Sequence, residues 1–161
     1  MFRSIRAVPW LTVVLACAEI TGEAEPLELE RALAKRVSFE TGTVPLLFVI
    51  PRLEKLVQQE FPDFEIKIIL KDMEREGITK RGAGGETRFD DTSVADVLTA
   101  LVMRDNPIQP ITDPRNPDQK VVWTVDTTNQ PNRRIVITTR AAAKKYGDKL
   151  PEVFKPKAKA E

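Results

Sequence analysis

From Arg36 to Thr139 the chain switches repeatedly between a two-residue and a helical period of hydrophobicity. In "RVSFETG", Val37, Phe39 and Thr41 face one way while Ser38 and Glu40 face the other, which predicts a strand ended by Gly42. "TVPLLFVIPRLEKLVQQEF" then sets Leu46, Val49, Ile50, Leu53, Leu56 and Val57 at helical spacing. Thr43 is placed to cap this helix, and Pro45 suits its first turn. Pro51 falls inside it, where the ring clashes with a carbonyl one turn back. The apolar stripe stays in phase across Pro51, so a kinked helix is predicted. The alternative is a strand through Ile50 with a helix starting at Pro51.

"FEIKIIL" alternates again, with Phe64, Ile66, Ile68 and Leu70 opposed to Glu65 and Lys67. A polar link, "KDMEREGITKRGAGG", leads to a short strand, "ETRF". "DDTSVADVLTALVM" is the clearest helix: Val94, Val97, Leu98, Leu101 and Val102 follow the i, i+3, i+4 pattern, and Ser93 with Asp96 forms a capping box. "RDNPIQPITDPRNPDQK" carries four prolines in 17 residues and predicts an exposed excursion. "VVWTVDTTNQPNRRIVITT" reads as a hairpin turning at "NQPN", with Val121, Trp123 and Val125 facing Ile135 and Ile137. Ahead of all this, Glu25 to Lys35 reads as a short helix.

These elements predict an α+β fold: a small mixed sheet in the order β-α-β-β-α-β-β, with two helices packed on one face. The domain spans residues 25–140, and residues 141–161 read as a basic, partly disordered tail.

The first residues have a different design. In "MFRSIRAVPWLTVVLACAEITGEAE", Arg3 and Arg6 precede a short apolar core, and Ala16-Cys17-Ala18 is a small-x-small cleavage site. Residues 1–18 therefore read as a secretory signal peptide. "VLAC" also resembles a lipoprotein box, in which the signal ends at residue 16 and Cys17 carries lipid, anchoring the protein to a membrane without spanning it. Either way the expected location is the periplasm or the exterior, and the folded part is free of cysteine.

Composition narrows the chemistry. With no histidine and a single cysteine, the chain lacks the usual general base, the commonest zinc ligand and any internal disulfide. The net charge of +1 lacks the basic excess of a dedicated nucleic-acid binder.

Three stretches together resemble a known family. "LERALAKRVSFETGTVPLLFVIPRLEKLV" has a strand running into a "-PL-" helix. "TRFDDTSVADVLTALV" has a strand, a small polar cap and an "ADVL-ALV" helix, and "VVWTVDTTNQPNRRIVITT" closes with an "-IVI-" strand. This pattern, from about Ala32 to Thr139, resembles the secretin and TonB N-terminal short domain (STN-type). The resemblance implies a non-enzymatic, protein–protein docking module of the bacterial cell envelope, with envelope proteins as partners and no cofactor. The family's usual barrel or pore does not follow in this sequence.

Candidate sites are few. The short strand Glu86, Thr87, Arg88 and Phe89 is the candidate edge for a partner strand. The alternative function is a phosphate- or nucleic-acid-binding domain using Lys80, Arg81, Gly82, Gly84 and Gly85. There the cations precede the glycines and a strand follows them, unlike a P-loop, so an inter-strand link is the favoured reading. Asp90, Asp91 and Asp96 cluster without the order of a calcium loop, and acids at a helix start are expected from the helix dipole alone.

Overall fold

The computed structural model describes residues 28–78, 85–126 and 134–156. The segment read as an export signal, with Cys17, the cations and first glycines of the Gly-rich stretch, and the "NQPN" turn lie outside the described residues.

The elements, in chain order, are α1 (Glu28–Ala34), β1 (Arg36–Glu40), α2 (Leu46–Gln58), β2 (Ile66–Ile68), α3 (Leu70–Arg75), β3 (Arg88–Ser93), α4 (Val94–Arg104), β4 (Val121–Asp126), β5 (Arg134–Thr139) and α5 (Arg140–Tyr146). A 3-10 turn follows at Glu152–Phe154. The protein is α+β, and the strands form two sheets instead of the single one predicted. β1 and β3 make an antiparallel pair, while β2-β5-β4 is a mixed sheet in which β2 runs parallel to β5 and β4 antiparallel.

Local sequence accounts for the two long helices. One helix runs through Pro51, and it buries Leu46, Val49, Ile50, Leu53 and Val57. In α4, Ser93 accepts the N–H of Asp96 as N-cap, and all five predicted apolar positions are buried. The cap of α2 is a correction: its N-cap is Pro45 and no local side chain caps it, so Thr43 does not serve.

The three-stranded sheet is covered on both faces. On one, Trp123 donates its indole N–H to Thr99 of α4 at 3.0 Å. On the other, Thr138 donates to the buried carboxylate of Asp72 in α3 at 3.0 Å. That double cover explains why Val121, Val122, Trp123 and Thr124 are all buried where the alternation predicted one wet face. The polar link after Leu70 thus conceals α3, whose Met73 enters the core together with Ile78.

One further expectation is overturned. Residues 141–156 are not a loose tail. α5 is N-capped by Thr139, ended by Gly147 at φ 75°, and followed by Phe154, fully buried with its ring edge-on to Trp123 at 6.1 Å. The proline-rich stretch is irregular and largely exposed, as predicted, and it is tied down at its ends. Asn106, buried inside it, donates to the carbonyls of Ile108 and Asp118 and accepts the N–H groups of Lys120 and Val121. One side chain thereby satisfies the backbone of both ends of the loop.

Candidate docking ribbon and basic cleft

Among the described residues β1 and β3 have no other strand partner, so the pair is a ribbon with two outer edges. The Thr41 N–H donates to the Thr87 carbonyl at 3.0 Å, and the Thr87 N–H returns to Thr41 Oγ1 at 3.1 Å. Bonded and non-bonded pairs alternate along antiparallel strands, so the next pair, Glu40–Arg88, turns its backbone groups outward. Its side chains meet in an exposed ion pair at 3.5 Å.

One step further the ribbon bulges. Between the Phe39–Phe89 and Val37–Thr92 pairs, Ser38 stands opposite both Asp90 and Asp91. Asp91 has φ 42°, a left-handed conformation that aspartate tolerates better than most residues. Ser38 Oγ donates to Asp90 at 3.1 Å and accepts the Asp91 N–H at 2.9 Å. Arg36 pairs with the Asp91 carboxylate at 2.9 Å and also donates to its carbonyl. The outer face is therefore polar and exposed, whereas Val37 and Phe89 are buried and Phe39 stacks on Phe89 at 5.3 Å.

The predicted edge residues separate on this ribbon. Glu86 precedes the strand and is exposed, Thr87 is engaged with Thr41, and Phe89 faces the core. Only Arg88 turns its backbone outward; beyond the bulge, the N–H and carbonyl of Asp91 are engaged by Ser38 and Arg36 across the ribbon.

Of the alternative anion loop, Lys80, Arg81, Gly82 and Gly84 lie outside the described residues. Gly85 is described, and its carbonyl accepts from Arg104 at 3.0 Å and from Thr41 Oγ1 at 3.4 Å. It offers an acceptor to a cation, the opposite polarity to an amide offered to a phosphate. Asp96 is engaged with Ser93 in the helix cap, and no group of three metal-ligating side chains exists among the described residues.

A second surface had no counterpart in the sequence reading. Between α3 and α5 lie two adjoining depressions of about 260 and 190 Å³, which share Glu76, Thr139 and Ala141 as a common wall. Five cations line them: Arg75, Lys120, Arg140, Lys144 and Lys145. The acids are Asp72, 3.7 Å from Arg75, and Glu76, 3.5 Å from Lys120. Arg140 is held by carbonyls alone, donating to Gln119, Phe154, Pro114 and Asn116. Its burial lowers its pKa from the ordinary arginine value, because no carboxylate offsets the loss of water. The signal available in the sequence was Arg140 and Lys144, one helical turn apart, but with α3 hidden they had no facing wall.

No family model matches the chain, and no curated protein or solved structure matches it. No described helix is long and apolar enough to cross a membrane.

Proposed function

We propose that this protein is an exported, non-enzymatic docking module of the bacterial cell envelope that binds a partner protein by strand addition to the β1–β3 ribbon. The observation that carries the reading is the pair of outer strand edges, unpaired among the described residues, with the backbone of Arg88 and Glu40 turned outward. An extended partner segment satisfies such groups with main-chain hydrogen bonds and gains specificity from alternate side chains. The element order supports the likeness to the STN-type domain: Arg36–Val57 folds as strand then helix after the short α1, Thr87–Val102 as strand, cap and helix, and Val121–Thr139 supplies two paired strands.

The test uses the full chain in its native cell. A photoreactive residue at position 88 is expected to capture one envelope protein that the same residue at Lys55, on the exposed side of α2, does not. The N-terminus is expected to start after Ala18 or to carry lipid on Cys17. An uncleaved chain in the cytosol, or identical capture from both positions, rejects the reading.

A further inference from the structure

We infer that the cleft between α3 and α5 binds an acidic peptide segment, whose carboxylates meet Lys144 and Lys145. This goes beyond the ribbon and uses a different surface.

Charge is the first reason. Both acids of the cleft already have cations, Arg75 for Asp72 and Lys120 for Glu76. Three positive groups remain. Arg140 is satisfied in hydrogen bonds by neutral carbonyls, which leave its charge uncompensated. Lys144 and Lys145 have no carboxylate partner among the described residues, and Lys145 lies 5.8 Å from the Tyr146 ring. Three like charges along one seven-residue helix repel one another, and a bound anion relieves that repulsion. A recessed wall of low polarisability focuses their field into the cleft.

Shape decides between a compact anion and a chain. Glu76 stands in the wall common to both depressions, so a phosphate drawn to the centre meets a carboxylate. An extended segment avoids this, because side chains two positions apart lie about 7 Å from each other on one face. One acidic side chain enters each depression, and a backbone N–H is left to face Glu76. Tyr146, 59% exposed at the rim, offers a flat apolar surface to the aliphatic part of the segment.

Fluorescence anisotropy on the full-length protein tests this, with a labelled ten-residue peptide of alternating Glu and Ser. Saturable binding that weakens with salt is expected, with a loss of about tenfold or more in Lys144→Glu/Lys145→Glu. Lys144→Ala/Lys145→Ala should show the same direction, and Lys149→Glu, outside the cleft, should bind as the parent does. Circular dichroism checks that each variant is folded. The inference is overturned by no saturable binding, or by equal binding to the charge-reversed variant. It is equally overturned if inorganic phosphate displaces the peptide at constant ionic strength, or if vesicles of anionic lipid depend on Lys144 and Lys145 while the peptide does not. Arg88→Pro, which addresses the ribbon, is expected to leave peptide binding unchanged, so the two readings fail separately.

Discussion

The carboxylate of Asp105 accepts the backbone N–H of Leu46 at 2.8 Å, across 59 positions of chain. Helix α2 begins behind a proline with no local side-chain cap, and Asp105, just past the end of α4, supplies that cap from a distance. Arg104 fixes the other carboxylate oxygen at 2.8 Å while donating to Thr41, Gly85 and Val44. Both side chains are largely buried, so neither charge can return to water if its partner goes. Asp105→Ala is expected to cost about 3 kcal/mol, read as a shift in the urea midpoint. Asp105→Asn keeps an acceptor and is expected to cost about half as much.

Phe154 ties the C-terminal segment to the centre of the sheet. Its ring is fully buried and edge-on to Trp123. Phe154→Ala is expected to destabilise by about 3–5 kcal/mol in the same titration, as deletion of a buried aromatic does. An equal loss on truncation after Gly147 would place the energy in this one contact.

Asn106 makes four hydrogen bonds to the backbone around the proline-rich loop. Asn106→Ala leaves the N–H groups of Lys120 and Val121, at the entry to β4, without that acceptor and is expected to cost about 2–3 kcal/mol. Limited proteolysis should then cut between residues 107 and 118, where the parent chain resists.

Two carboxylates set an expected pH dependence. Glu54 has its pKa raised by burial, then by nearby Glu65, and Asp148 by burial and then by Asp126. A raised folded-state pKa means the folded chain holds its proton more tightly than the unfolded one. Stability therefore falls as pH rises from the ordinary carboxylate value through the raised one, and the penalty is complete above it. Glu54→Gln and Asp148→Asn should each gain relative stability at pH 7 compared with pH 4, as measured by urea midpoints at both pH values.

Arg88→Pro probes the ribbon edge. Proline removes an N–H that points away from β1 and sits at the first position of β3, where the ladder loses nothing. The ion pair lost with it is exposed and contributes little. Thermal unfolding is expected within a few degrees of the parent, with loss of envelope capture from a photoreactive residue at Asp90. Undiminished capture would remove the β3 edge from the interface.

Legibility in the sequence followed the strength of local signals. Helix α4 was readable because Ser93 caps Asp96 and five apolar positions hold the helical period. Helix α2 was readable through Pro51 because the stripe stays in phase, which a strand would not require. Helix α3 was not, since six residues with one buried methionine carry no period. It is held by the Asp72–Thr138 hydrogen bond to a strand 66 positions away. The lysine-rich C-terminal stretch looked like a solvated end because, among its described residues, Phe154 is the one large side chain fully buried, and only the Trp123 surface shows what that anchor is for.

The sequence by itself determined the α+β class, the order of its main elements and which faces of α2 and α4 turn inward. Those follow from periodicity and from caps within a few residues. Only the tertiary structure decided the division into two sheets, the outward turn of Arg88, the capping of α2 by Asp105 and the facing of α3 and α5 across a basic cleft. Each depends on hydrogen bonds or charges between residues far apart in the chain, and a local pattern has no period at that distance.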